Sequence, residues 1–217
     1  MTEQPGIPAG DFSSWLHHAR DALLNGTGTD VPCGECTACC RSSYFIHIGL
    51  DETKALERIP KKALAALPNQ SKEHVFLGHD KTGTCPMLVE SQCSIYEDRP
   101  KTCRSYYCRN FAAAGITAGD EKPRINERVA RWRFNYPTGQ DREEHEAVQA
   151  AAEFIQGNAK HFPGGKIPND PNQLAVLAIK TYEVFLGKDE VDKDSRRETA
   201  DAIVKKIREF DAKRHTL

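Results

Sequence analysis

No apolar stretch in the 217 residues approaches the roughly 20 needed to span a bilayer, so no transmembrane helix is expected. Charge of one sign is missing as well. Thirty basic residues face 31 acidic ones, a formal net charge of −1, so no whole-molecule field draws the chain to nucleic acid or to a membrane surface. The first residues, Met1-Thr2-Glu3-Gln4-Pro5-Gly6, lack the basic start and apolar centre of a secretory signal. The expected location is therefore cytoplasmic, where thiols are kept reduced. Catalytic signatures are scarce. No Ser/His/Asp set or paired-carboxylate pattern stands out, and Gly164-Gly165 follows a helical pattern where a nucleotide-binding loop would follow a strand. Internal repeats and low-complexity tracts are absent. With 39% hydrophobic residues and a mean hydropathy of −0.61, the chain is polar, yet long enough to bury a core.

Cysteine is abundant and unevenly placed. Half of the eight cysteines lie in Cys33-Gly34-Glu35-Cys36-Thr37-Ala38-Cys39-Cys40, and none follows Cys108. Cys33, Cys36 and Cys39 recur every third residue, the tight spacing that wraps a loop around a metal or a cluster. Gly34 lets the turn between the first two thiols take a positive φ, and Pro32 stiffens the approach. The vicinal pair Cys39-Cys40 points its side chains in different directions. One loop could thus serve two metals, or one metal plus a second thiol nearby. In a chain expected to be cytoplasmic, metal ligation outweighs a disulfide framework.

Hydrophobic periodicity sets the frame around that loop. Phe12, Trp15, Leu16, Ala19 and Leu23 predict a helix over 11–24, capped by Asp11 and stopped at Asn25-Gly26. A polar linker at 27–30 follows. Residues 43–48 and 74–78 predict strands, and 51–59 and 61–67 predict short helices that stop at Pro60 and Pro68. His47 reads as a packed or edge residue of its strand, while His74 and His79 are minor ligand candidates beside an all-sulfur shell. Residues 85–89 and 93–96 predict a hairpin turning at Glu90-Ser91-Gln92. Asp98-Arg99-Pro100 opens a helix that carries Cys103 and Cys108 and ends at Gly115. On one helix those two thiols would point about 140° apart, which makes Cys103 the better ligand. Residues 125–134 read as an arginine-rich helix or strand. Residues 141–160, 170–187 and 195–210 read as helices, the last opened by the capping box Ser195–Glu198. The expected fold is α+β and helix-rich, with a small metal-stapled β element and a helical C-terminal layer. Residues 1–30 would form an N-terminal helix and linker, 31–115 a cysteine-cluster domain, and 116–217 a helical region packing on it.

Three segments carry a family pattern: Cys33-x2-Cys36-x2-Cys39-Cys40, Cys85-Pro86-Met87-Leu88, and Cys93-Ser94-Ile95-Tyr96-Glu97-Asp98-Arg99-Pro100-x2-Cys103-Arg104. Over about residues 31 to 110 the chain resembles the YkgJ-like cysteine-cluster family, a CxxCxxCC zinc- or iron-chelating domain. The resemblance implies a metal-binding domain and not a reaction. Cys33, Cys36, Cys39, Cys40, Cys85, Cys93 and Cys103 fall on the pattern and are expected to converge on one or two metal centres. Cys108 lies outside the matched pattern and is the eighth candidate.

Four thiolates suit tetrahedral zinc. A C-x2-C-x2-C run with a distant cysteine before proline, here Cys33, Cys36, Cys39 and Cys85-Pro86, is like a [4Fe–4S] ligand set. Zinc and an iron–sulfur cluster both stay open, with the expectation leaning to iron. Arg41, Arg99, Lys101, Arg104 and Arg109 flank the cysteines. Arg99 and Arg104, inside the motif, are expected to offset thiolate charge from just behind the sulfurs.

The first functional reading is a structural or metal-handling centre, with the metal ion or cluster as the partner. The second is an iron–sulfur enzyme or electron-transfer protein. Flagellin lysine methylases carry a similar cysteine motif, which suggests methyl transfer by analogy alone. The weakest is nucleic-acid binding through Arg124, Arg128, Arg131 and Arg133 with Trp132 and Phe134, where a solvated, ion-paired face is the plainer explanation.

Overall fold

A computed structural model describes residues 5–26, 31, 33–65, 74–187, 192 and 194–214. The expected linker at 27–30, Pro32 and the stop at Pro68 lie outside these residues. The chain runs β1 (Ile7–Asp11), α1 (Phe12–Asn25), β2 (Ile46–Gly49), α2 (Thr53–Arg58), β3 (Leu64–Ala65), β4 (His74–Leu77), β5 (Leu88–Val89) and β6 (Gln92–Cys93). It continues through α3 (Lys101–Ser105), α4 (Arg109–Ala114), α5 (Pro123–Val129), β7 (Trp132–Asn135), α6 (Gly139–Gly157), α7 (Pro171–Thr181) and α8 (Arg196–Arg214). This is an α+β fold with a helical C-terminal part. Among the described residues, no helix is long and apolar enough to cross a membrane. Two compact units share the chain. One comprises Met1–Thr27, Cys108–Glu121 and Asn126–Leu217, and the other Gly28–Tyr107 with Lys122–Ile125.

In the first unit, helical spacing becomes a core. α1 buries Phe12, Trp15, Leu16 and Ala19, the one-sided stripe that the sequence predicts, and Gly26 at φ 63 ends it in the left-handed conformation. α6 buries Ala147, Val148, Ala151, Ala152, Phe154 and Ile155, and α7 buries Leu174, Ala175, Ala178 and Ile179. Alanines on these faces let helix backbones approach closely. β1 and β7 pair in parallel, with Ile7 opposite Trp132 and Gly10 opposite Phe134. Their register shifts between Pro8 and Gly10, where Gly10 takes φ 88. Arg20 on α1 donates to the Ile179 and Lys180 carbonyls at the end of α7 and to Glu183 Oε1. These carbonyls have no intrahelical donors, so the guanidinium both caps α7 and meets its negative end.

The start of α6 is tied to the start of α1 by one carboxylate. Asp141 accepts from the Thr138 amide at 2.9 Å, from Thr138 Oγ1 at 2.6 Å and from the Ser13 amide at 2.9 Å. Thr138 returns the favour as the N-cap of α6, completing a capping box.

The cysteine-bearing unit is built from small pieces. β2, β4 and β3 form an antiparallel sheet in that order, with Ile46 opposite Leu77 and Leu64 also opposite Leu77. β5 and β6 form a separate two-residue hairpin. Its loop residues Glu90 and Ser91 have φ 48 and 63, the double positive φ that lets a two-residue loop follow the strand twist.

Three expectations are corrected here. The helix foreseen from Asp98 to Gly115 is two helices, α3 and α4, because Tyr106 leaves α3 in an extended conformation, φ −75 and ψ 104. That step carries its hydroxyl to within 2.8 Å of Tyr44 Oη. Cys103 therefore sits on α3 and Cys108 at the N-cap of α4, and the 140° relation does not apply. The helix foreseen at 61–67 is a single tight turn, Lys61–Ala63, followed by β3; pairing with β4 outweighs helix propensity. Residues 125–134 divide between α5 and β7. At α8, the Ser195 hydroxyl donates back to the Asp192 carbonyl at 2.9 Å.

The hydrogen bonds from Thr138, and then the Ser13 amide, hold the Asp141 carboxyl at about 2, below the ordinary 3.8. A carboxylate with a depressed pKa stabilises the fold above its ordinary value and loses that contribution as pH falls toward the folded one. Asp141→Asn should lower the melting temperature by several degrees at neutral pH. The gap to the parent should close between about pH 4 and pH 2 in thermal melts followed by circular dichroism. An equal gap at both ends of that range would refute the role of the charge.

Candidate metal centre

Among the described residues of the cysteine unit, Ile48, Ala55, Ile59, Leu77, Met87 and Ile95 form a buried apolar cluster. Cys85 and Cys93 are partly buried and pack against it. Its strands span two to four residues. Polar links fix the positions of the loops around it.

The cysteine loop is locally ordered. The Cys36 amide donates to the Cys33 carbonyl at 2.9 Å, with Gly34 between them at φ 52. A single turn of 3-10 helix, Cys39–Arg41, follows, and the Ser42 hydroxyl closes it on the Ala38 carbonyl at 2.6 Å. Two backbone bonds then lay the next cysteine segment beside the loop. The Ser43 amide donates to the Gly83 carbonyl at 2.9 Å, and the Cys85 amide to the Cys40 carbonyl at 2.7 Å. The turn that delivers Cys85 is shaped by Asp80, whose Oδ1 accepts from the Thr82 amide, the Thr82 hydroxyl and the Thr84 amide at 2.7–2.9 Å. Those bonds, the Thr82 hydroxyl first, hold the Asp80 carboxyl below its usual range. Gly83 has φ 79, and a Cβ there would come within 2.2 Å of Ser43 Oγ. Glycine is required at this crossing.

The hairpin brings Cys93 opposite Leu88, and the Ser94 amide and hydroxyl both donate to the Met87 carbonyl. α3 contributes no buried side chain and is held on β2 and its neighbours by polar contacts. The Thr102 hydroxyl donates to the His47 carbonyl at 2.7 Å, the Lys101 amide donates to Glu52 Oε2, and Tyr106 Oη meets Tyr44 Oη. Lys122 Nζ donates to the Ser42 carbonyl at 2.7 Å and lies 4.3 Å from the Tyr44 ring centre. The tyrosine pair and Lys122 have no signature in the sequence, because 62 and 80 residues separate the partners.

Arg99 is 6% exposed. Its guanidinium donates to the Tyr96 carbonyl at 2.7 Å and the Val31 carbonyl at 3.5 Å and stacks 4.0 Å from the Tyr96 ring centre. It clamps the segment entering the cysteine loop to the segment leading to α3, and its charge favours the Cys103 thiolate. Arg104 donates to the Arg99 and Glu97 carbonyls, so it braces the same turn. His47 packs its ring on Phe76 and His79 on Phe45.

The sulfurs meet electrostatically. Burial, and then the neighbouring Cys85, Cys93, Cys33 and Cys36, push the Cys40 thiol up to about 12. Burial, and then Cys85, Cys40 and Cys93, push Cys103 up to about 12, against the opposing pull of Arg99. Cys85 is also raised, by burial and by Cys93, while the Met87 and Leu88 amides work the other way. Every pair among Cys40, Cys85, Cys93 and Cys103 thus interacts, and Cys33 and Cys36 join through Cys40. Among the described residues no disulfide joins the cysteines, and no three Cys, His, Asp or Glu side chains are drawn into metal-holding geometry. The donor chemistry nonetheless fits a soft cation, which would offset the burial and the mutual repulsion that raise Cys40, Cys85 and Cys103.

Cys108 belongs to the helical unit. It is buried, and the Trp132 indole N–H donates to its sulfur at 3.3 Å. Arg109 donates to the Ala9 carbonyl at 2.9 Å and lies 5.3 Å from the Trp132 ring centre; burial lowers its pKa to about 10. Arg128 stands 4.8 Å from the same ring.

Residues 32–127 match the family model CxxCxxCC, described as a "Putative zinc- or iron-chelating domain". No curated protein and no solved structure matches the chain.

Two outcomes follow for the metal-free protein. Because Cys40 and Cys103 stay protonated up to about 12 against an ordinary 9.0, zinc binding must expel their protons, and affinity must climb with pH by roughly tenfold per unit for each thiol displaced. Proton release measured in weak buffer during zinc addition checks this, and uptake without release at neutral pH would refute it. Raised thiols also make the metal-free unit progressively less stable as pH rises from 9.0 toward 12. Separately, Gly83→Ala should cost about 1–3 kcal/mol through the strained φ and weaken metal retention. Gly164→Ala, in the helical unit at φ 68 with open space around it, should leave metal retention intact.

Proposed function

We propose that this zinc- or iron-chelating domain holds its metal in an inner shell of Cys40, Cys85, Cys93 and Cys103, with structural and metal-handling roles. What supports the reading is that the Cys85 amide bonds to the Cys40 carbonyl and the hairpin sets Cys93 opposite Leu88, while burial and then the neighbouring sulfurs raise Cys40 and Cys103. Cys33, Cys36 and Cys39 form an outer set on the preceding loop, close enough for Cys33 and Cys36 to reach Cys40 electrostatically. Cys108 is left out of the shell, since its sulfur accepts the Trp132 indole within the helical unit. Arg99 and Arg104 support the centre by bracing the turn between Cys93 and Cys103, and Arg99 also offsets thiolate charge.

Iron, as a four-iron cluster, is our reading of the metal. Four thiolates match the ligand count of such a cluster, and Cys85 precedes Pro86. The same four sulfurs satisfy tetrahedral zinc. Metal binding on the order of 10–16 kcal/mol, as for structural zinc, would add to what the apolar cluster supplies, so metal retention supports the folding of this unit.

Anaerobic purification followed by metal and acid-labile sulfide analysis tests the reading. A brown protein with equal iron and sulfide is expected. A colourless protein with one zinc would replace iron while leaving the ligand assignment standing. Substituting serine at Cys40, Cys85, Cys93 or Cys103 should remove most of the metal, whereas Cys108→Ser should retain it. Full metal content after Cys40→Ser or Cys103→Ser would overturn the inner shell.

A further inference from the structure

The outer loop holds a pair of thiols in a geometry suited to other chemistry. Cys33 and Cys36 are both partly buried, with exposed Gly34 and Glu35 between them. The bond from the Cys36 amide to the Cys33 carbonyl, 2.9 Å, closes a four-residue turn. Such a turn brings its first and last Cα atoms within about 7 Å, overlapping the roughly 4.4–6.8 Å that a disulfide needs. Gly34 makes the turn possible. It stands at φ 52, and a Cβ built there would meet nothing within 4 Å, so backbone conformation and not crowding dictates glycine. Lys122, Ser42, Gly83 and Cys85 order the later part of the loop, from Ala38 to Ser43. The 33–36 turn stands outside those links.

We infer that Cys33 and Cys36 are a redox modification site, a dithiol that closes to an intramolecular disulfide and so withdraws the outer set from metal binding. The consequence for metal rests on the shell proposed above; the disulfide itself does not. The oxidant is a low-molecular-weight disulfide such as oxidised glutathione. One cysteine attacks a glutathione sulfur, the glutathione S–S bond breaks, and one glutathione leaves as thiolate. The second cysteine then attacks the protein-bound sulfur, forming the Cys33–Cys36 bond and releasing the second glutathione. Two electrons pass from the protein to glutathione disulfide, and the two thiol protons end on the two glutathiones.

Metal-free full-length protein equilibrated in glutathione redox buffers, quenched by alkylation and mapped by peptide mass spectrometry, tests the site. The first disulfide to form should join Cys33 and Cys36, with the loss of two hydrogens from that peptide. Gly34→Val should slow closure by roughly tenfold, because a β-branched residue resists positive φ. Gly34→Asn, which tolerates that conformation, should restore most of the rate. A first disulfide elsewhere, glutathione adducts at Cys33 or Cys36 that never resolve, or equal rates for Gly34→Val and the parent would each overturn the proposal. Zinc titration of the oxidised protein separates this idea from the one it rests on. Retention of one tightly held zinc, with loss of any weaker uptake, fits both. A Cys33–Cys36 disulfide in a protein that takes up no zinc, reduced or oxidised, leaves the redox site standing and defeats the inner shell.

Discussion

Like charges gathered in a partly buried space constrain everything in the cysteine unit. Two thiolates about 4 Å apart repel by roughly 4 kcal/mol at the effective dielectric of a protein surface. Four of them make six such pairs, and the sum exceeds the whole stability of an ordinary domain, about 5–15 kcal/mol. A cation among such thiolates would offset that repulsion. Without one, burial and then the neighbouring sulfurs push the Cys40 and Cys103 thiols up to about 12.

The rest of that unit is consistent with this constraint. Among the described residues its strands are short and α3 has no fully buried side chain. Cysteine segments separated by up to 70 residues are aligned by backbone bonds and capped turns, with Cys85 laid on Cys40 and Asp80 shaping the approach. Arg99 ties Val31 to Tyr96 and so links the entry of the loop to the turn before Cys103. These links are polar and weak singly. They place the segments that carry the sulfurs.

The helical unit solves its own problem by other means. Side chains of Phe12, Leu16, Val148, Ala151, Ala178, Ile179 and Ile203 are within it and essentially inaccessible to water. Helix ends are satisfied by Asp141, Asp170 and Arg20. Apolar burial and capping suffice there. No cation is called for.

Helical spacing and caps are local properties, so α1, α6 and α7 were readable from residues such as Phe12, Trp15, Asp170 and Gly26. The cysteine motifs were readable too, because thiols at intervals of three have few chemical uses, and the match over residues 32–127 agrees with the metal-binding expectation. The break between α3 and α4 was not readable. It depends on Tyr106 reaching Tyr44, a partner 62 residues away, and no periodicity encodes such a meeting. Likewise, which sulfurs stand near which depends on Ser43 crossing Gly83 and on Cys85 bonding to Cys40. Sequence by itself determined that a cluster of thiols exists and what chemistry it favours, since donor type and local spacing are written residue by residue. Only the tertiary structure decided that the Cys85 segment lies beside Cys40 while Cys108 accepts from Trp132, because that choice is made by contacts between segments remote in the chain.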